Sequence, residues 1–421
     1  MRKRIRHLAA NPFIQGSFLF TSASFIVHIC NYLFNFIVAH NFGPAGYGEI
    51  TTFFSYISLL SFPLLVVTTT MVQKISSYKA DKLVYAASLN SYLFGFIRQW
   101  WFLIFAVLAL SPFVYMVTNL SPAIGFFVIP FSLSGAVISF YHAAFQGLKL
   151  FLILSLILIA LALFKLLSIT PSLLNFKDIF IIIMLQFIGS VIMLFASIKI
   201  FSRYIPKIKL KNFKNNSLFR VFHFIKSRQF LITFISTLGI TAYSTLDIIF
   251  VKKYFSAYES GIFNSWSLLS KIILYVLGPV LQVSFVFFSE DNRQSYSRKI
   301  LLSALLLLFI VTGIAAVVYY FFPQTVVDLL FGQSFRNVIP YLLLTTIFGF
   351  LFGANNLFNN YFLAKKSLVS LVLATGMIFY ILLLFFIRKQ IIWLMYLNIF
   401  FGAVIFLCNI GLYFAQRKDE I

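Results

Sequence analysis

Residues 300–322, ILLSALLLLFIVTGIAAVVYYFF, contain no charged side chain. A chain cannot leave such a run in water, and a helix of about 20 apolar residues spans the hydrocarbon of a bilayer. Runs of this kind recur along the whole sequence. Twelve spans are predicted, at roughly 17–40, 50–72, 99–118, 123–147, 150–170, 179–201, 229–252, 262–288, 300–322, 338–363, 367–387 and 391–414. The segment 78–98 reads as an interfacial helix leading into the third span. The expected fold is therefore an all-α integral membrane protein, with twelve transmembrane helices in two six-helix lobes around a central cavity.

Charge sets the orientation. Only 10% of residues are charged and 61% are hydrophobic, which excludes a soluble fold. Lys and Arg outnumber Asp and Glu by 33 to 10. In a soluble chain that excess would suggest nucleic acid. Here the basic residues flank the spans, the positions where cations signal topology and meet anionic lipid head groups. With the N-terminus in the cytoplasm, 23 basic residues fall in inner segments and six in outer loops. That bias places both termini inside. The apolar run after MRKRIRHLAANPF is too long for a signal-peptide core and reads as a retained first helix. Cys30 and Cys408 fall inside spans and read as small apolar residues, not as a disulfide or metal pair.

The two halves echo each other. VAHNFGPAGYG (38–48) aligns without gaps to VKKYFSAYESG (251–261), with Val, Phe and Gly coinciding at an offset of 213. Pro63 and Pro279 lie at similar depths, and Lys149 and Lys365 each follow a helix that comes inward. These matches suggest parallel six-helix repeats. The expected organisation is an N-terminal lobe over 1–201, a basic cytoplasmic linker with an interfacial helix over 202–228, and a C-terminal lobe over 229–421.

Polar residues on the spans mark candidate sites. At about 100° per residue, Ser24, His28, Asn31 and Asn35 fall within an arc of about 60° on the first span. On the eighth, Asn264, Ser267, Lys271, Tyr275, Gly278 and Gln282 fall within about 80°. Lys271 is the centre of that stripe and lies roughly 14 Å below the outer end of its span, near mid-membrane. Two roles are open to it. It lines a water-filled cavity, or it pairs with Asp247, the single acid within a span. The candidate substrate-binding set is Lys271, His28, Asn31, Asn35, Asn264, Ser267, Tyr275 and Gln282, with Asp247 as an ion-coupling or gating residue. Lys165, near the outer end of the fifth span, is expected to snorkel. Asn355, Asn356, Asn359 and Asn360 suit either interhelical bonding or ligand contact.

Nothing in the sequence points to catalysis. It holds no GxxxxGK[ST] loop and no cluster with metal-ligand spacing. The outward acids Glu49, Asp178, Glu259 and Asp328 are isolated. No cofactor and no enzymatic activity are expected.

FIVAHNFGPAGYGEI (36–50) resembles the turn after the first helix of bacterial polysaccharide flippases, where Leu-Gly-Pro-x-x-Tyr-Gly is usual; Phe42 replaces the Leu. TLDIIFVKKYFSAYESGIFNSWSLLSKI (245–272) is similar to the stretch that opens the second half of such proteins, and LFGQSFRNVIPYLLL (330–344) with NNYFLAKKS (359–367) to their ninth-to-tenth-helix region. The resemblance implies a Wzx-type flippase of the multidrug/oligosaccharidyl-lipid/polysaccharide exporter superfamily. Such proteins move undecaprenyl-diphosphate-linked oligosaccharide across the cytoplasmic membrane by alternating access, for surface polysaccharides such as O-antigen or capsule. The partners implied are the lipid-linked oligosaccharide, anionic lipids, and a polymerase and chain-length regulator; no nucleic acid is expected. Two other readings stay open: a multidrug-type cation antiporter of the same architecture, and a polytopic glycosyltransferase or polymerase.

Overall fold

Apolar runs with few helix breakers become helices, because in lipid each backbone N–H and C=O must find its partner within the same segment. The structure, a computed structural model, describes residues 12–78, 81–204, 227–290, 294–387 and 390–418. Residues 205–226, most of the expected basic linker, lie outside these. All regular structure among the described residues is helical. The main helices are α1 (Pro12–Ser77), α2 (Lys82–Gln99), α3 (Trp101–Ala109), α4 (Val114–Thr118), α5 (Pro122–Gly147), α6 (Phe151–Leu167), α7 (Ile179–Tyr204), α8 (Arg228–Tyr254), α9 (Ala257–Glu290), α10 (Gln294–Phe321), α11 (Pro323–Leu330), α12 (Leu342–Ala364), α13 (Val372–Phe386) and α14 (Ile391–Lys418). Ten segments among the described residues are long and apolar enough to cross a membrane. The first, Ser22–Ser76, covers both of the first two expected spans. Helix α9 occupies the position of the eighth. The chain is a multi-pass membrane protein.

Local chemistry sets the helix ends. Helix α1 breaks at Gly43, whose φ of 62° and ψ of −170° suit only glycine. Pro44 follows it and disfavours the helical conformation in the residue before. Asp81 caps α2 by accepting from the backbone N–H of Leu83 at 2.9 Å and of Val84 at 3.3 Å. Ser227 caps α8 through the N–H of Phe230 at 3.2 Å.

The repeat signal has a structural counterpart. Helix α5 ends in a left-handed residue, Lys149, with the N–H of Leu150 donating to the carbonyl of Phe145 at 2.8 Å. Helix α12 ends the same way at Lys366, with Ser367 donating to Phe362 at 2.9 Å. Both turns close with the six-to-one bond of a Schellman motif. Lys149 thus corresponds to Lys366, one position beyond the Lys365 expected. In each turn the phenylalanine whose carbonyl accepts, Phe145 or Phe362, is fully buried.

The chain divides into two compact units. Described residues up to Ile37 and from Leu60 to 204 form the first; Val38–Leu59 and the described residues from Ser227 onward form the second. The lobe expected over 1–201 had kept 38–59 with the N-terminal half, and contacts explain the difference. A Cβ on Gly261 would lie 1.9 Å from the carbonyl oxygen of Pro44, and one on Gly48 would lie 2.8 Å from the nitrogen of Gly261. Only glycine allows that approach. Tyr47, fully buried, sits edge-on to Phe331 and Phe335, each with ring centroids 5.7 Å away.

Candidate functional site

In the second unit, α8, α9, α13 and α14 bring a polar cluster together inside apolar helices. Lys271 of α9 is half-buried, and its Nζ donates to the backbone carbonyl of Ser244 on α8 at 2.7 Å. Ser244 lies one helical turn before Asp247, and the charges of Lys271 and Asp247 act on each other. The carboxylate is fully buried. It accepts from Asn398 Nδ2 at 3.1 Å and from the N–H of Ile248 at 2.8 Å. Asn398 in turn accepts Tyr380 through its side-chain oxygen and Tyr243 through its backbone carbonyl, the latter at 2.9 Å. The amine rests on a carbonyl, and the acid is its neighbour rather than bonded to it directly. An ionised side chain inside a membrane helix costs about 2.5–3.5 kcal/mol on insertion scales, so such a cluster is expensive to keep without a use.

Asn264 and Ser267, expected to line a cavity with Lys271, are buried in helix packing in this conformation. Asn264 Nδ2 donates to Thr51 Oγ1 at 2.6 Å and to the carbonyl of Gly48 at 3.3 Å. Asn264 and Thr51 are separated by 213 positions, the offset that also relates Gly261 to Gly48. Both contacts, within the second unit, thus join positions that the sequence alignment of 38–48 with 251–261 sets at the same offset. The seam is incompletely bonded. Oγ of Ser260 and Ser267 and Oδ1 of Asn264 are buried with no hydrogen-bond partner among the described residues.

The first-span residues sit in the first unit. His28 is exposed, and Asn31 and Asn35 are half-buried. Asn35 donates to the carbonyl of Asn31 on its own helix at 2.8 Å. Asn31 Oδ1 accepts from Lys165 Nζ at 2.9 Å. Lys165 therefore does not snorkel as expected. A short turn, Thr170–Leu173, extends its span to Leu173, and the amine turns towards α1, over the Phe34 ring at 4.7 Å from the centroid. The side chains of Tyr275 and Gln282 lie outside the described residues.

The asparagines of α12 divide by face. Asn359 accepts from Ser236 at 2.9 Å, and Asn355 donates to the carbonyl of Gly402 at 2.9 Å while accepting from Asn409. Both are buried and hold helices together. Asn356 and Asn360 are half-buried and bond to each other. The sequence reading missed Asn398, Tyr380 and Tyr243. Their signal was a lone amide in IIWLMYLNIFF (391–401) and a lone hydroxyl in GMIFYILLLFF (376–386).

The sequence matches no protein-family profile and no curated protein. Solved structures do match. An inward-facing multidrug resistance MATE family transporter of the MOP superfamily superposes with a TM-score of 0.67 at 13% identity, over 96% of this chain and 99% of that one. The lipid II flippase MurJ, in an inward closed conformation, gives 0.70 at 17% identity, over 94% and 87%. A MOP superfamily transporter from Pyrococcus furiosus, described as having a binding pocket of reversed polarity, gives 0.61 at 14% identity, over 96% of each chain. The fold is that of MOP-superfamily transporters.

Proposed function

We propose that the protein is a flippase that carries undecaprenyl-diphosphate-linked oligosaccharide from the inner to the outer leaflet of the cytoplasmic membrane, with both termini inside. The observation that carries this reading is the amine of Lys271, placed deep in a span against a neutral carbonyl. Such a cation attracts an anionic head group where lipid-facing lysine would be costly. His28, Asn31 and Asn35 supply hydrogen-bonding groups for sugars. The polyprenyl tail stays in lipid. The Gly48–Gly261 and Thr51–Asn264 seam is the outer closure, and its unpartnered hydroxyls accept water when it parts. An inside-negative potential favours outward movement of anions by about 2.3 kcal/mol per charge per 100 mV. Asp247, gripped by Asn398, serves coupling or gating.

The test concerns leaflets. Without the protein, lipid-linked repeat units accumulate facing inward, and restoring the chain restores their exposure outside. Unchanged outward exposure in its absence overturns the reading.

Asp247 favours one competing reading, a cation antiporter, because a buried carboxylate suits an organic cation. Resistance to organic cations that depends on Asp247, with lipid-linked sugars unaffected, would favour that reading.

A further inference from the structure

Helix α5 carries polar residues that no role above has used. Gly135, Ser139, His142 and Gln146 recur at spacings of 4, 3 and 4, within an arc of about 60°. Serine inside a helix commonly bonds the carbonyl one turn earlier, as Ser132 does with Val128 at 2.7 Å. Ser139 does not. The side chains of Ser139, His142 and Gln146 make no hydrogen bond to any described residue. Nε2 of His142 is also buried. Buried polar atoms nearly always find a partner, so an orphan of this kind points to a ligand or a water as its partner.

The stripe is open, but not towards lipid. A Cβ on Gly135 would meet no heavy atom within 4 Å beyond its own turn of helix. Ser139 and His142 are half-buried, and Gln146 is exposed. Lipid-facing helices of this unit expose large apolar side chains: Leu152, Leu156 and Leu163 on α6, and Ile188, Ile192 and Phe195 on α7. After Phe126, α5 exposes none. The lining is also free of fixed charge, since residues 122–147 contain no Lys, Arg, Asp or Glu. A hydroxyl, an amide and a neutral imidazole each both donate and accept. Sugar hydroxyls do the same. The stripe offers no fixed cation for a diphosphate and no carboxylate for an organic cation. Gly135, without a side chain, lets a bulky ring approach the backbone.

We infer that Gly135, Ser139, His142 and Gln146 form a sugar-binding face on α5 in the first unit, apart from Lys271 in the second. The inference rests on the flippase reading and assigns this face to the neutral sugars of the cargo, not to its diphosphate.

The test uses the purified full-length chain in detergent. One probe is lipid-linked oligosaccharide extracted from cells that lack the protein. The other is undecaprenyl diphosphate, with the same tail and phosphates but no sugar. Ser139→Ala combined with Gln146→Ala is expected to weaken binding of the oligosaccharide about tenfold and to leave undecaprenyl diphosphate unchanged. Gly135→Leu puts bulk into the open space and is expected to do the same. An equal loss for undecaprenyl diphosphate overturns the assignment to sugars. Unchanged affinity for the oligosaccharide in the folded double variant overturns the face and leaves the flippase reading intact. Where the double variant does not fold, Gly135→Leu decides in the same way. Wild-type protein that ignores the oligosaccharide and binds tetraphenylphosphonium overturns both and favours the antiporter.

Discussion

Lys271 and Asn398 show two kinds of polar residue in apolar helices. Lys271 was legible in the sequence because a charge at mid-span has few places to go. Its replacement by Ala is expected to reduce outward exposure of lipid-linked sugar and to weaken prenyl-diphosphate binding about tenfold. Binding isotherms on the purified variant check this, and unchanged affinity removes Lys271 from the site. Asn398 was not legible, since an isolated amide gives no indication of its partner. The structure shows it bonded to Asp247, Tyr380 and Tyr243. Asn398→Ala leaves the carboxylate without one donor and the Tyr380 hydroxyl without its acceptor, while the Tyr243 bond, made to the backbone carbonyl, remains. A loss of about 1–2 kcal/mol in stability is expected, read by thermal unfolding in detergent.

At the scale of elements, Val38–Leu59 is held by contacts that have no side chain to spare. Gly261→Ala would drive its Cβ to 1.9 Å from a backbone oxygen, so the helices must separate. The expected outcome is a seam that stays open, measured as faster labelling of an introduced cysteine at Ser260 in a Cys408→Ser background; unchanged labelling contradicts it. Nearby, Arg336 grips Asp328 with Nε at 2.9 Å and Nη2 at 2.5 Å. That bidentate hydrogen bond holds the Asp328 carboxyl below its usual range. A depressed carboxyl stabilises the fold above its unfolded pKa and loses that contribution as pH falls through the folded value. Acidification below the ordinary carboxylate range is therefore expected to loosen residues 328–336, seen as faster amide exchange there. Arg336→Gln should exchange fast already at neutral pH. The helices themselves were legible from hydropathy. The extra turn at Thr170–Leu173 was not, because Pro171 at its start reads as a stop.

For the whole molecule, the alternating access proposed above would require the seam at Gly48–Gly261 and Thr51–Asn264 to part in each cycle. Thr51 and Asn264 are already bonded at 2.6 Å. The double variant Thr51→Cys with Asn264→Cys, again in Cys408→Ser, is expected to cross-link under oxidation and to stop transport. A reductant should restore it. Transport that continues while the disulfide is intact would show that this seam stays closed throughout the cycle.

The sequence alone determined that this chain spans a membrane many times, as helices. Those properties follow from local hydropathy and from backbone hydrogen bonding, which must be satisfied within each span. Only the tertiary structure decided which polar residues meet. Lys165 turned to Asn31, Asn264 was buried against Thr51, and Asp247 was bonded by Asn398, 151 positions away. A span's apolar surface suits lipid and protein alike, so hydropathy cannot tell which face turns inward. That choice was made by close approach at Gly48 and Gly261 and by polar groups that could pair only with distant segments.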